Sequence, residues 1–302
     1  MTKPSDSGPG SKRRPAGAAV PRGSGKLHLV ATPVGNLGDI PPRAVDALRA
    51  ADVIACEDSR VTGNLLHHIG VKRPLVAYHD HNAEEMRPKL LARLLAGEQV
   101  ALVSDAGTPL ISDPGFKLVR EAAEAGIPVT ALPGPSAPIL ALILSGLPTD
   151  RFLFAGFLPN KSGARREALN EVAGVKATLI FFETAPRLAD SLADCAAVLG
   201  DRPAAVAREL TKLYEEVRRG PLPDLARHYA EAGPPKGEIV LVIGPPGAET
   251  HRAIDLDAAL RDALKSMRVK DAAAAVAGAT GRSTRDVYAR ALELQKADAA
   301  DD

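Results

Sequence analysis

Short apolar runs alternate with amphipathic stretches along most of the chain. Leu27-His28-Leu29-Val30 predicts a strand, followed by a loop from Ala31 to Asp39 and a helix from Pro41-Pro42 to Ala50, with proline tolerated in its first turn. Val53-Ile54-Ala55-Cys56 predicts the next strand, Thr62 to Ile69 a helix closed by Gly70, and Pro74 to Tyr78 a third strand. A long amphipathic helix over Ala83–Ala96 leads to the strand Val100-Ala101-Leu102-Val103. After the Gly/Pro/Asp-rich loop Ser104–Gly115 come a helix, Phe116–Ala125, and a strand, Val129–Leu132. Such alternation implies an α/β fold, with a mainly parallel sheet covered on both faces.

Pro133-Gly134-Pro135 punctuates the pattern and marks the first domain boundary. A second α/β unit follows, with strands predicted at 152–157, 178–182, 204–207 and 238–243, and Pro245-Pro246-Gly247 closes it. The last segment is Ala-rich and helical. Val269–Ala277 and Thr284–Leu292 flank a Gly-containing turn, as in a helix-turn-helix or an ordinary αα-hairpin. The expected division is a disordered tail over 1–25, α/β domains over 26–133 and 134–248, and a small helical appendage over 249–302.

Composition then bounds the function. The chain has 302 residues, 45% of them hydrophobic, enough for real cores and against global disorder. Its net charge of +1 hides a split: residues 1–26 carry +5, which leaves −4 on the rest. A body of that sign lacks the broad basic footprint of a general nucleic-acid binder. No Trp and only four Tyr and six Phe argue against a binder built on stacking platforms. Cys56 and Cys195 lie far apart and form neither a disulfide framework nor a zinc spacing, which reads as a reducing cytoplasm. No apolar run reaches a membrane span, and no apolar segment follows the basic N-terminus to make a secretory signal. The tail reads either as a solubilising leader or as a basic arm with salt-sensitive affinity for RNA.

The candidate chemistry sits at strand ends, where open α/β sheets bind ligands. Loops 31–39, 104–115 and 133–137 are rich in Gly and Pro, allowing close backbone approach, and contain Asp39, Asp105 and Asp113. Carbonyls and carboxylates there suit a ligand with a cationic centre and amine donors. No Walker motif and no G-x-G-x-x-G after a strand supports a P-loop or a dinucleotide fold. Glu57-Asp58-Ser59-Arg60 follows a strand, as an acidic site or a helix cap. Tyr78-His79-Asp80-His81-Asn82 offers a general base, a ribose contact or a capping turn. Without a third ligand it does not make a metal site. Lys161, Arg165 and Arg166 form the densest basic cluster of the body, either phosphate contacts or a solvated loop. Glu183/Arg187 and Arg208/Glu209/Lys212/Glu215/Glu216 read as ion-pair sets, structural or on a site's rim.

Taken in order, several motifs are specific. They are Ala31-Thr32-Pro33-Val34-Gly35-Asn36-Leu37-Gly38-Asp39, Glu57-Asp58-Ser59-Arg60, His79-Asp80-His81-Asn82, Ser104-Asp105-Ala106-Gly107-Thr108-Pro109 through Gly115, and Pro133-Gly134-Pro135-Ser136. Gly156-Phe157-Leu158-Pro159, Arg208-Glu209-Leu210-Thr211-Lys212 and Lys236-Gly237-Glu238 continue the series. The chain resembles the tetrapyrrole-methylase superfamily over roughly residues 27–245, and within it the branch of 16S rRNA (cytidine-2′-O)-methyltransferases. Ser59 stands where that branch usually has Thr, and Thr184-Ala185-Pro186 where it usually has Ser-Pro-His.

The resemblance implies a two-domain tetrapyrrole-methylase-like fold with a small helical C-terminal appendage, S-adenosylmethionine in the cleft between its domains, and a homodimer. It implies cofactor contacts from Pro33, Ser104, Asp105, Ala106, Gly107, Pro133, Gly134, Ser136, Phe182, Leu210 and Thr211. The reaction would be methyl transfer to a cytidine ribose of 16S rRNA in the small ribosomal subunit, with RNA held by Lys161, Arg165 and Arg166 and no metal. A ribose hydroxyl needs a base or a cation beside its alkoxide, and Asp58, Arg60, His79 and Lys212 are the candidates. Two other functions remain open on the sequence: methylation of a corrin or sirohaem precursor by the same fold, and a non-catalytic RNA-binding or ribosome-associated protein.

Overall fold

In the computed structural model, the structure describes residues 25–247, 256–265, 267–280 and 283–298. The basic tail, the start of the helical appendage and Gly281-Arg282 of its turn lie outside the described residues. Two compact units divide between Ser136 and Ala137.

The first unit is built on five strands: β1 (Lys26–Val30), β2 (Val53–Cys56), β3 (Leu75–Ala77), β4 (Gln99–Val103) and β5 (Val129–Leu132). Their order is β3-β2-β4-β1-β5, and every pairing is parallel. Helices α1 (Pro42–Ala50), α2 (Ser59–His68), α3 (Ala83–Leu95) and α4 (Phe116–Glu124) connect them. The central strands are buried on both faces. Leu27, Val53, Val100 and Leu102 pack one core layer, and Val30, Ile54, Ala101 and Val103 the other. That two-sided burial is why these strands read as unbroken apolar runs. A parallel sheet also carries the carboxyl ends of β1, β2, β3, β4 and β5 to one edge, where the predicted loops follow.

The second unit opens with α5 (Ala137–Ser145) and continues with β6 (Phe152–Phe157), α6 (Ser162–Val172), β7 (Thr178–Thr184), α7 (Leu188–Leu199), β8 (Pro203–Arg208), β9 (Glu216–Pro221), α8 (Leu222–Ala232) and β10 (Glu238–Ile243). Its sheet runs β6-β7-β10-β8-β9. Only β6–β7 is parallel; β7–β10, β10–β8 and β8–β9 are antiparallel. This second sheet is therefore mixed. Strand β9, Glu-Val-Arg-Arg-Gly-Pro, is not among the predicted strands because it lacks an apolar run. It lies at a sheet edge, where charge and proline are tolerated and discourage edge-to-edge pairing.

Among the described residues that follow, three helices form: α9 (Leu256–Leu264), α10 (Val269–Thr280) and α11 (Thr284–Asp298). They share a core of Leu260, Ala273, Val276, Val287, Ala291 and Leu294. Arg290 pairs with Asp257 at 2.6 Å. Among the described residues, no helix is long and apolar enough to cross a membrane.

Candidate functional site

Three loops at the carboxyl edge of the first sheet are tied to one another. Beyond β1, Thr32 makes a two-bond antiparallel bridge with Gly107: Thr32 N–H donates to Gly107 O (2.9 Å) and Gly107 N–H to Thr32 O (3.0 Å). The Thr32 hydroxyl donates to Ser104 O at 3.0 Å, and Ser104 Oγ donates to Gly107 O at 3.0 Å. Gly107 has φ +83°, which favours glycine. Thr108 Oγ1 reaches Pro135 O at 3.1 Å, drawing in the third loop. At Gly134 a Cβ would lie 2.8 Å from Ala31 Cβ, so only glycine allows this approach. Pro33, Ser104, Asp105, Ala106, Gly107, Pro133, Gly134 and Ser136 thus belong to one hydrogen-bonded and packed set of loops.

Carboxylates from three strand ends gather beside it. Glu57 follows β2, Asp80 follows β3, and Asp105 and Asp113 follow β4. Asp105 Oδ1 accepts the Asp58 N–H at 3.0 Å, joining the β2 and β4 loops. Asp113 is half-buried and hydrogen-bonded to Ser104. Burial, then Glu57, then Asp105 and Asp80 push its pKa up to about 6 against that bond. Burial, Asp105 and Asp80 also raise Glu57. The backbone leading to Asp113 is strained, since Leu110 (φ +72°) and Ser112 (φ +65°) are both left-handed without being glycine.

The sequence candidates fare unequally. Asp58 caps α2, accepting Arg60 N–H at 2.8 Å, and Arg60 Nη2 grips its other oxygen at 2.6 Å. Those bonds hold its carboxyl at about 2, too acidic for a base at neutral pH. His79 N–H donates to Asn82 Oδ1 at 2.9 Å, which is the capping-turn geometry, while His79 Nδ1 is buried with no partner. Asp58, Arg60 and His79 lie on the first unit, as do Glu57 and Asp113.

Lys212 lies on the second unit, in the β8–β9 connection, held by Glu209 (2.8 Å) and Glu238 (3.1 Å). Burial opposes its charge, but those two bonds prevail and raise its pKa, so it is not poised to lose a proton. Glu209 and Thr211 flank Leu210 in the left-handed region at φ +50° and +65°. Leu210 is buried, the Thr211 hydroxyl is buried without a partner, and Phe182 packs edge-on to Phe154.

The basic cluster is not one surface. Lys161 and Arg166 are exposed, but Arg165 is buried against Asp194 at 2.7 Å, which removes it as an RNA contact. The Glu183 set is structural as well. Its carboxylate accepts from Ser191 (2.5 Å) and the Thr184 N–H (2.7 Å) and pairs with Arg187.

Glu57 and Asp113 enter the sequence reading only as parts of acidic loops, not as candidates for proton transfer. Asp113 stands in a Ser-Asp-Pro-Gly run that reads as turn chemistry. Its desolvation and acidic neighbours appear only when three strand ends converge.

A set of close-packed loops lined by carboxylates fits a ligand carrying both a sulfonium and an ammonium charge. The comparisons with known proteins agree. The family of Tetrapyrrole (Corrin/Porphyrin) Methylases matches residues 26–226, and the RsmI C-terminal HTH domain matches residues 251–295. A ribosomal RNA small subunit methyltransferase I of Mesorhizobium japonicum is 53% identical, over 89% of this chain and 92% of the relative. The protein of the same name from Escherichia coli O157:H7 is 47% identical over 90% and 96%. The solved uroporphyrin-III-C-methyltransferase of Thermus thermophilus shares the fold at TM-score 0.53 and 23% identity, covering 72% of this chain and 94% of that one. Fold and site thus define an S-adenosylmethionine-dependent methyltransferase of the tetrapyrrole-methylase class. Within that class, the chain belongs to the ribosomal RNA small subunit methyltransferase I family.

Proposed function

We propose that this chain methylates the 2′-oxygen of a cytidine ribose in the decoding region of 16S rRNA, within the small ribosomal subunit, in the cytoplasm and as a homodimer. The observation that carries the reading is the reach of the likeness. The rRNA-methylating relatives match across about nine-tenths of the chain, and a family-specific helical domain matches the last segment.

S-adenosylmethionine, when bound, supplies an electrophilic methyl group. In the first unit Pro33, Ser104, Asp105, Ala106, Gly107, Pro133, Gly134 and Ser136 hold it. On the second unit, the resemblance to the family implies contacts from Phe182, Leu210 and Thr211. The carboxylates of Glu57, Asp80 and Asp105 provide a field that favours cationic ligand groups. Asp113 is the proton acceptor: its Oδ would take the 2′-hydroxyl proton as the ribose oxygen accepts the methyl group and the sulfur–methyl electron pair leaves on sulfur. A group poised near neutrality suits that role better than Asp58 or Lys212. Asp58 acts as a cap that aims Arg60, and His79 remains available for a ribose contact. Alignment of methyl and oxygen supplies much of the remaining rate.

The test is transfer of labelled methyl from S-adenosylmethionine to 30S subunits, free 16S rRNA and tetrapyrrole precursors, with the modified ribose mapped by mass spectrometry. Label on a cytidine 2′-oxygen is expected; label in the precursor alone overturns the reading. Gly134→Ala is a second check. Its Cβ would push the 133–136 loop off Ala31, so S-adenosylmethionine Kd by calorimetry is expected to rise roughly tenfold or more with little change in Tm, since a shift of about 1.4 kcal/mol suffices.

A further inference from the structure

The second unit holds a cavity of about 550 Å³ at the end of its sheet where β6 and β7 begin and β10 ends. Leu210 and Thr211 follow β8 at the opposite end of that sheet, since Arg208 pairs with Ile239 near the start of β10 and Ala204 with Ile243 at its end. The cavity therefore lies apart from both residues. Pro148, Pro245 and Pro246 give it apolar walls, and Arg151 and Lys176 supply two cations against one acid, Asp150.

Two features mark the cavity and its wall. Arg151 and Lys176 are exposed, and among the described residues neither pairs with a carboxylate. Arg202 stands next to the cavity and is only 6% exposed. Its Nη2 donates to the carbonyl of Ala173, a lining residue, while Nε and Nη1 are buried without partners. Burial depresses its pKa with no anion to compensate. A desolvated guanidinium lacking a counter-charge is costly, and an anion in the adjoining space would offset that cost.

We propose that this cavity is an accessory RNA-docking site, which takes one nucleotide unit of a single-stranded segment with its phosphate on Arg151 and Lys176 and its base against the proline walls. The inference rests on the reading of the chain as an rRNA methyltransferase and adds a contact that none of the motifs suggests. Arg202 contributes long-range positive potential from behind the wall. Because the cavity lies at the opposite end of its sheet from Leu210 and Thr211, it serves affinity and register rather than chemistry.

The test uses the full chain with Arg151→Glu and Lys176→Glu combined. Both side chains are exposed, so Tm is expected to stay within a degree or two. Binding of a 16S rRNA fragment is measured across a potassium chloride series. Affinity is expected to fall roughly tenfold at about 0.1 M salt, and the slope of log K against log salt to flatten by about 0.7 to 1, the value for one phosphate that is no longer neutralised. The S-adenosylmethionine Kd and kcat at saturating RNA are expected to hold within about twofold, as follows from a contact that positions without reacting. Arg151→Gln with Lys176→Gln should give the same slope change with a smaller loss of affinity. An unchanged slope and affinity overturns the proposal. So does binding of free adenosine monophosphate at the cavity, abolished by the charge reversal, while RNA affinity stays the same. A wild-type chain that methylates no RNA defeats the functional reading instead. A wild type that methylates RNA beside an indifferent double variant defeats only this one.

Discussion

Asp113→Asn is expected to lower methyl transfer at pH 7.5 by roughly 10²–10⁴-fold, the usual worth of a positioned general base. The amide keeps the shape of the carboxyl and its bond to Ser104, so the S-adenosylmethionine Kd is expected to change little. The pH profile is the sharper readout. With a proton-accepting group at about 6, wild-type kcat rises as pH climbs through that value and then levels off, and the asparagine variant loses the inflection. Glu57→Gln should move the wild-type inflection down, because it removes the strongest of the acidic neighbours that disfavour the Asp113 anion. Stability runs the other way. The Asp113 pKa is higher folded than unfolded, so its contribution to stability is fully present below the unfolded value and is lost as pH rises through about 6. The asparagine variant is therefore expected to melt at or above the wild-type temperature at pH 8. A slower enzyme that is no less stable separates a chemical role from a structural one. Full activity in Asp113→Asn would remove it as the base.

Why this residue escapes a reading of the sequence, while the loops around it do not, is a matter of range. The first sheet is legible because both of its faces are covered, which turns β1, β2 and β4 into apolar runs, and because Gly and Pro mark the loops beyond them. The close approach of Gly134 to Ala31 and the bridge from Thr32 to Gly107 are local expressions of those same glycines. Charge partners are not local. Asp105 meets the backbone of Asp58 across 47 residues, and Asp194 meets Arg165 across 29. Nothing in Lys-Ser-Gly-Ala-Arg-Arg says which of its cations turns inward. Likewise Leu110 and Ser112 carry no sign of a left-handed backbone, since residues of these types seldom adopt it. Strand β9 hides for another reason: an edge strand keeps its charges, so the signal that reveals a buried strand is missing.

Asp194→Ala is expected to be the most destabilising of these substitutions, by about 3–5 kcal/mol in urea unfolding, because it strands a buried cation. Its carboxylate accepts from Ser162 Oγ (3.0 Å), Arg165 Nε (2.7 Å) and Arg166 Nε (2.6 Å). The side chains of Asp194 and Arg165 are only 5% and 4% exposed. With the acid gone, Arg165 retains only long contacts of 3.4 Å to the carbonyls of Pro159 and Asn160. Burial works to raise the Asp194 pKa, but the bonds from Arg166, Arg165 and Ser162 outweigh it and hold the carboxyl below its ordinary value. The contribution is thus present above the unfolded pKa and lost as pH falls through the folded one, so the gap between wild type and variant should narrow in acid. Replacing both partners, Arg165→Met with Asp194→Leu, is expected to recover much of the loss, since an apolar pair leaves no stranded charge. The same double variant bears on RNA. If Arg165 serves only to anchor α6 on α7, the salt dependence of rRNA binding stays at the wild-type slope even in this variant. A flatter slope would return Arg165 to the RNA surface.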